Sequence, residues 1–385
     1  MPRSPVLLAS LFLAVGACAQ PPSSAGPAAL ATADPIKTVE TEAGPVGVFE
    51  VEGGLDHPWG IAFLPDGRAL VTERAGRLRI VDGTGDAAVV AGTPEVFAEG
   101  QGGLLDVALG PDFAETGHVY LTYAKAGPGG AATAVGRGRF EGDVLVGFEE
   151  IWVQTPFYRG GNHFGSRIAF TPDGHLLVST GERFQFDPAQ DLGNTLGVVV
   201  RLNPDGSVPD DNPFVGDPGA RPEIWSYGHR NAQSLGVHPE TGDVWEAEFG
   251  PRGGDELNRI EPGLNYGWPV VSWGMNYDRS PIPDPPTRPD LTDAVRQWTP
   301  VISPSGLTFY TADAFPAWTG SLMLGGLTAQ GVVRLEVDGG AVTHEERVDL
   351  GERIRDVEQG PDGFVYVLVD DSDGAVWRLE PLASE

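Results

Sequence analysis

The sequence has almost no cysteine, since Cys18 is the single one among 385 residues. A disulfide framework is therefore excluded, and the fold has to be stabilised by burial of apolar side chains. Positive charge is also scarce, with 25 lysines and arginines against 54 aspartates and glutamates and a formal net charge of −29. Nucleic acid and anionic lipid are bound by basic surfaces, so neither is an expected partner of this chain.

A long apolar segment is missing as well. The apolar run at residues 6–15 follows a positively charged start but is shorter than the roughly 20 residues that cross a bilayer as a helix. It predicts a secretory signal peptide over residues 1–18. Residues 15–18 resemble a bacterial lipobox, which predicts that Cys18 is lipidated; cleavage near Ala19 with loss of the cysteine is the alternative. We therefore expect export to the periplasm or cell envelope, with membrane contact only through this anchor.

Residues 19–44 are rich in Ala, Pro, Ser and Gly. Such a composition is typical of a flexible linker, and we interpret this stretch as a tether between membrane and domain. The remaining residues, 45–385, are long enough to bury a sizeable core in one large all-β domain.

A short phrase recurs along this domain: a strand-like run, a turn built from Pro, Asp and Gly, and a second strand-like run. Proline presets φ for the turn, Asp bonds to the turn backbone, and Gly tolerates a positive φ. The copies occupy residues 61–73, 107–122, 168–179, 236–245 and 357–368, with a weaker copy at 306–325. A repeat at such intervals predicts an all-β, six-bladed β-propeller, whereas a β-sandwich would not explain a repeated phrase.

Longer stretches separate some of these hairpins, around residues 125–165, 183–235 and 250–305. Loops on one face of a propeller are where functional residues concentrate. We therefore expect the site to be built from these segments.

One such segment surrounds His163 with glycines just before a repeat strand. Glycine lets the backbone approach a ligand closely, and a histidine titrates near neutral pH and can act as a base. On these residues alone, a turn histidine bonded to backbone is the alternative.

Three further clusters carry polar side chains. Arg230 and Asn231 stand among aromatic residues and suit a ligand with carboxylates and ring carbonyls, with a surface turn as the alternative. Arg353 and Arg355 alternate as in a strand and project to one face, where they favour an anionic partner or pair with adjacent acidic residues. Residues 248–269 combine Gly-Pro turns with carboxylates, which are oxygen ligands that calcium accepts, although the spacing fits no EF-hand.

Taken together, these segments resemble the soluble quinoprotein glucose and aldose sugar dehydrogenase family. Six matching phrases appear in family order, at residues 100–105, 163–168, 227–231, 250–256, 265–269 and 353–357. The resemblance implies a six-bladed propeller that uses pyrroloquinoline quinone (PQQ) and Ca²⁺ to oxidise an aldose sugar at C1 to the lactone. An external electron acceptor and a monomeric or homodimeric state are expected with it.

The resemblance also implies roles for individual residues. His163 would remove the proton of the anomeric hydroxyl while hydride passes from C1 to the quinone. Arg230 and Asn231 would contact the quinone, and Arg230 would stabilise charge on its oxygen. Contacts to the cofactor are also implied for Tyr277, Arg353 and Arg355. Gln101 would contact either the cofactor or the substrate.

The family's calcium positions fall on the third cluster. The carbonyls of Gly250 and Pro251 would hold a calcium ion that polarises the quinone. Glu256 and the carbonyl of Tyr266 resemble a second, structural calcium site.

The chain departs from the family pattern at three positions, one of which is Val198, where a lysine commonly follows the glycine. Thr328 stands where a lysine often contacts the cofactor, which removes one positive charge. Glu182 stands where an aspartate commonly orients the histidine, and its longer side chain can take that role.

Two other functions stay open on the sequence. One is a non-catalytic propeller that binds a sugar or a partner through a degenerate cofactor site. The other is a calcium-dependent lactonase, which needs carboxylates and Asn on a central metal; His163, Arg230 and the paired arginines argue against it.

Overall fold

The computed structural model describes Met1, residues 34–282 and residues 286–383. The predicted signal peptide beyond Met1, the lipidated Cys18 and most of the predicted linker lie outside the described residues. Within the described residues, no helix has the length and apolar character needed to cross a membrane.

The described residues form six antiparallel sheets, which are the blades of a propeller. Blade 1 contains β3 (Pro58–Phe63), β4 (Ala69–Glu73), β5 (Arg77–Val81) and β6 (Ala88–Val90). Blade 2 contains β7 (Leu104–Leu109), β8 (His118–Gly127), β9 (Gly130–Glu141) and β10 (Val144–Val153). Blade 3 contains β11 (Gly165–Phe170), β12 (Leu176–Thr180), β13 (Val198–Leu202) and β14 (Ile224–Tyr227).

The remaining blades complete the ring. Blade 4 contains β15 (Ala232–Val237), β16 (Val244–Glu248), β17 (Asp255–Ile260) and β18 (Arg296–Trp298). Blade 5 contains β19 (Pro304–Phe309), β20 (Leu322–Gly326), β21 (Gly331–Asp338) and β22 (Ala341–Asp349). Blade 6 contains β23 (Ile354–Gln359), β24 (Val365–Val369), β25 (Gly374–Pro381), β2 (Gly44–Leu55) and β1 (Lys37–Thr41). Two short helices, α1 (Phe113–Thr116) and a 3₁₀ helix (Asp187–Gln190), lie in blades 2 and 3.

Each repeated phrase forms the first two strands of a blade, which confirms the predicted all-β, six-bladed propeller. In blade 1, Ile61 lies opposite Val71 across the turn. Gly67 in that turn has a φ of 91° and donates its N–H to the carbonyl of Leu64 at 2.9 Å. A side chain would strain the backbone there, so the recurring glycine is required by the turn. The innermost strand of each blade contacts that of the next blade around the ring.

The first and last strands of the described residues meet in blade 6. The N-terminal strand β2 pairs with the C-terminal strand β25, with Val48 opposite Leu379. This pairing closes the ring non-covalently, in keeping with the absence of disulfides.

The predicted end of the linker at residue 44 is wrong, because the fold begins earlier. Strand β1 lies within the predicted tether and pairs with β2, with Val39 opposite Val46. Val39 packs against the apolar core of blades 5 and 6, and the ammonium group of Lys37 lies 4.3 Å from the ring centre of Trp377. Apolar contacts and pairing with β2 therefore make β1 part of the fold, although the sequence before it is typical of a linker.

The core lies between adjacent blades. Trp245 and Leu257 of blade 4, for example, pack against Leu307 and Leu324 of blade 5. Each fully buried side chain of this size contributes about 1.5–3 kcal/mol. The expected loop around residues 125–165 is largely strand, since β8, β9 and β10 extend through it to Val153.

Candidate active site

The candidate residues gather at one face of the propeller, which we call the site face. It is the face where the innermost strands begin, so that Gln101, His163 and Arg230 come just before β7, β11 and β15. The second strand of each blade runs antiparallel to the first, so residues that follow the second strands reach the same face. These residues are Arg74, Glu182, Phe249, Leu327 and Asp370.

A cavity of about 240 Å³ lies at the site face. Its charged lining residues, apart from His57, are Arg74, Arg353, Arg355 and Asp370. The other lining residues are His57, Trp59, Gln101, Gln233, Phe249 and Leu327. Three guanidiniums against one carboxylate give the cavity a net positive charge, which favours an anionic ligand.

Arg355 is buried in the cavity wall. Its Nη2 donates to Oδ2 of Asp370 and its Nη1 donates to Oε1 of Gln233, both at 2.7 Å. Arg353 reaches the same oxygen of Asp370 at 3.2 Å. Although burial opposes it, the guanidiniums of Arg355 and Arg353 lower the pKa of Asp370 to about 2. Asp370 therefore stays ionised and fixes both arginines side by side.

His163 adjoins this cavity through one of its lining residues. Its backbone N–H donates to Oε1 of Gln101 at 2.7 Å, and its Nδ1 lies 2.8 Å from Oε1 of the fully buried Glu182. Donation from Nδ1–H to the carboxylate leaves the lone pair on Nε2. The backbone of His163 has a φ of 52°, a strained conformation of the kind found at functional sites.

Burial lowers the pKa of the His163 imidazole. The hydrogen bond to Glu182 opposes this effect, and the positive charge of Arg230 adds to it. The ring is therefore neutral at neutral pH, which is the form that accepts a proton.

Arg230 and Asn231 lie next to the cavity and contact its lining residue Phe249. Nη1 of Arg230 donates to the carbonyl of Phe249 at 2.8 Å, and the N–H of Phe249 donates to the carbonyl of Asn231 at 3.3 Å. Both side chains are buried, and Oδ1 of Asn231 accepts the N–H of Gly165 at 3.1 Å. Among the described residues, neither Nε of Arg230 nor Nδ2 of Asn231 has a hydrogen-bond partner.

An aromatic surface continues from His163 toward solvent. The ring of Phe184 meets the His163 ring edge-on at 5.1 Å and stacks on Tyr277 at 6.1 Å. Tyr277 is exposed, and Nη2 of Arg230 lies 3.4 Å from its hydroxyl. Aromatic rings of this kind line many small-molecule sites, where they orient flat ligands and sugar rings.

The structure brings three of the four predicted calcium ligands around a second, small cavity. Gly250, Glu256 and Tyr266 line this space of about 10 Å³ together with Arg230 and Glu248. Burial and the charge of Glu248 raise the pKa of Glu256 well above its usual range.

The predicted ligand Pro251 is buried but does not line this small cavity. Its neighbour Gly250 accepts a hydrogen bond from Nη1 of Arg230 on its carbonyl at 3.1 Å, so a calcium ion would share or displace that contact. The N–H of Gly250 donates to Asp255, whose pKa burial raises to about 6.

Thr328 does not line the main cavity. It is exposed, and its hydroxyl lies 2.6 Å from that of Ser303, while its neighbour Leu327 lines the cavity.

Sequence reasoning missed several lining residues, notably Arg74, Trp59 and Asp370. A signal for two of them exists, because Arg74 and Asp370 directly follow the second strand of a repeat, close to the position that Glu182 occupies.

Comparison with known proteins places this geometry in a wider context. The family model described as Glucose / Sorbosone dehydrogenase matches residues 55–378. Aldose sugar dehydrogenase YliI of Escherichia coli is 44% identical over 347 residues, which are 87% of this chain and 93% of that protein.

Solved structures show the same similarity. The crystal structure of the soluble aldose sugar dehydrogenase from Escherichia coli in its apo-form has a TM-score of 0.84 and 42% identity, covering 88% of this chain and 100% of that one. The PQQ-bound form of aldose sugar dehydrogenase from Streptomyces coelicolor has a TM-score of 0.72 and 29% identity, covering 90% of this chain and 99% of that one.

Proposed function

Because this chain belongs to the glucose/sorbosone dehydrogenase family and is a sugar dehydrogenase, we propose that it oxidises aldose sugars at C1 to lactones with PQQ as cofactor. Membership of a dehydrogenase family argues against the non-catalytic alternative. The observation that carries the proposal is the positively charged cavity that adjoins a neutral, carboxylate-bound histidine.

The residues present fit the proposed cofactor. PQQ is a flat, rigid acceptor with three carboxylates and two quinone oxygens, so it requires hydrogen-bond donors. Among the described residues, Nε of Arg74 and Nε of Arg355 are buried without partners in the cavity wall, and Arg230 and Asn231 each hold a further unpartnered N–H group beside it. Such orphaned donors are costly unless a ligand accepts from them.

We assign the cofactor contacts accordingly. Arg353 and Arg355, held by Asp370, would pair with carboxylates, and Arg74 would add a third guanidinium from the opposite end of the chain. Arg230 and Asn231 would donate to ring oxygens. Tyr277 would cover the outer edge of the pocket. Thr328, outside the lining, would contribute little.

His163 is the proposed general base. PQQ, when bound, would accept the hydride from C1 of the sugar. Nε2 of His163 would take the proton of the anomeric hydroxyl, so that the C1–H bond breaks as the carbonyl of the lactone forms. Glu182 would hold Nδ1–H and stabilise the imidazolium ion that results. Gln101, bonded to the backbone of His163, would orient the base.

Calcium is the second proposed cofactor. The carbonyls of Gly250 and Pro251 would hold an ion that increases the electrophilicity of the quinone. Glu256 and the carbonyl of Tyr266 would hold a structural ion.

The test is reconstitution of the purified protein with PQQ and Ca²⁺, followed by dye reduction with a broad panel of aldoses. We expect aldose-dependent reduction that is lost when PQQ or Ca²⁺ is omitted, with a C1 lactone as the product by ¹³C NMR. Absence of oxidation for every aldose would contradict the proposal.

Export and lipidation at Cys18 remain part of the proposal. Metabolic labelling with palmitate should label the full-length chain and not its Cys18→Ser variant. An unlabelled wild-type chain would favour cleavage near Ala19.

A further inference from the structure

A second group of ionisable side chains lies buried in blade 4, next to the small cavity. Glu246 pairs with Asn258 across β16 and β17, and Glu248 pairs with Glu256. Residues two apart in a strand share a face, so these four side chains project from the same side of the sheet. His229, in the turn between β14 and β15, completes the group. All of these side chains except that of Glu256 are buried, and those of His229 and Glu246 are 0% exposed.

Three of these residues converge on one point. Nδ1 of His229 lies 3.6 Å from Oε1 of Glu248 and 3.7 Å from Oε2 of Glu246. One ligand atom from each residue can be chosen so that all three lie within 4.8 Å of one another. Both distances are too long for a hydrogen bond, whose donor–acceptor separation is about 2.7–3.2 Å.

The imidazole of His229 is held in place by its other nitrogen. Nε2 lies 2.8 Å from the hydroxyl of Ser226, and the ring stacks on Tyr266 at 4.8 Å. Nδ1 is therefore aimed at the two carboxylates, and it has no hydrogen-bond partner among the described residues. Oε1 of Glu246 and Oδ1 of Asn258 lack partners as well within the same part of the chain. Buried polar atoms are rarely left unpartnered, so these three atoms point to a ligand that the described residues do not supply.

We infer that His229, Glu246 and Glu248 bind a divalent transition-metal ion of the zinc class. Two ligands that each lie about 2.1 Å from a tetrahedral ion are roughly 3.4 Å apart, close to the separations around Nδ1. Two carboxylates and one imidazole match the donors that zinc accepts, and the ion balances two negative charges in the interior.

This site differs from the proposed calcium sites in its chemistry. Calcium takes oxygen ligands, whereas the position facing Glu246 and Glu248 is occupied by an imidazole nitrogen. None of the three residues is among the proposed calcium ligands.

The ion would act on the neighbouring active site through Glu248. Oε2 of Glu248 accepts the backbone N–H of Arg230 and, at 3.3 Å, that of Asn231. A metal held by the other oxygen would fix the turn that carries both residues against β16. Only this consequence rests on the proposed function; metal binding itself does not.

The test is calorimetric titration of the zinc-free, PQQ-free protein with Zn²⁺ in excess Ca²⁺. We expect one equivalent of Zn²⁺ to bind, and His229→Gln to weaken binding by at least about 100-fold. His238→Gln is the matched control, because it removes an imidazole from the first turn of the same blade, where Nδ1 accepts from Glu240 and Thr241. This control should bind as the wild type does.

X-ray absorption of the zinc-loaded wild type provides a measurement that does not depend on any variant. We expect imidazole scattering together with oxygen ligands at about 2.0–2.2 Å. Failure of the wild type to bind zinc, displacement of zinc by calcium, equal binding by His229→Gln, or a shell of oxygen alone would each overturn the inference. Because these readouts involve neither PQQ nor sugar, their failure is distinguishable from failure of the proposed dehydrogenase activity.

Discussion

Among the described residues, two cavities of similar volume, about 240 and 270 Å³, lie at opposite ends of the innermost strands. The cavity at the site face has three arginines and one carboxylate in its wall. The opposite cavity reverses this balance, with one guanidinium, from Arg167, among the carboxylates Asp106, Asp356 and Glu358. Volume therefore does not distinguish the two, whereas charge does, and a tricarboxylate suits only the first.

The charged side chains of the opposite cavity also form ion pairs with one another. Nη1 of Arg167 lies 3.1 Å from Asp106 and 3.0 Å from Asp356, and its guanidinium stacks on Trp59 at 4.0 Å. Burial raises the pKa of Asp106 to about 6 and that of Glu358 well above its usual range. The contrast indicates that the cavity at the site face suits an external anion. In the opposite cavity, the charged side chains pair with one another.

The largest effect is expected for the base at the site face. His163→Ala should lower kcat by about 10³-fold, because it removes the imidazole that would take the hydroxyl proton. PQQ binding should change little. Steady-state kinetics of the reconstituted enzyme checks this, with Glu358→Gln in the opposite cavity as the control of unchanged activity. Full activity of His163→Ala would refute the assignment.

The next effect concerns affinity for the cofactor. Arg355→Gln should weaken PQQ binding by about 10- to 100-fold, since it removes a buried charge-assisted contact and leaves Asp370 without its main partner. Absorbance titration measures this. The same titration on Glu358→Gln should match the wild type within about twofold. Equal losses in the two variants would remove the distinction between the cavities.

The pH dependence of turnover tests the pair formed by His163 and Glu182. Because burial lowers the pKa of His163, the midpoint of the acid limb of kcat/KM should lie below about pH 6.5, the ordinary pKa of histidine. Glu182→Gln removes the contact that raises this pKa, so the limb should move to still lower pH while kcat falls by about tenfold. A limb that moves upward, or an unchanged kcat, would contradict the assigned roles.

The smallest effect is expected at the position where the family often has lysine. Thr328→Lys should strengthen PQQ binding by no more than about threefold, because an exposed charge outside the cavity lining contributes little. Titration of this variant beside wild type decides the point. A gain of tenfold or more would show that residue 328 faces the cofactor.

Much of the fold could be predicted because its signal is local. Each turn with Pro, Asp and Gly fixes its own hairpin, and repetition of the hairpin implies the ring. The same logic explains why His163, Arg230 and Arg353 lie at the same face, since each comes just before an innermost strand. The position of a residue just before an innermost strand therefore predicts that it lies at the site face.

The strand pairing that closes the ring could not be predicted, since no local pattern encodes which distant strands meet there. His57 lies 3.2 Å from Asp370 although the two residues are 313 positions apart, because the first and last blades become neighbours only in the folded chain. For the same reason composition alone predicts β1 to be linker, because its side chains contact residues of the last two blades, which are distant in sequence. Where a long-range contact decides a residue's role, periodicity and composition give no signal.

The central claim is that the arginine-lined cavity beside His163 binds PQQ, and absorbance titration of the wild-type protein in Ca²⁺ tests it most directly. The account predicts saturation at one equivalent of quinone. It also predicts that added salt weakens the affinity for PQQ more than it would weaken binding at an apolar site. Absence of binding at any quinone concentration, with the protein folded, would contradict it.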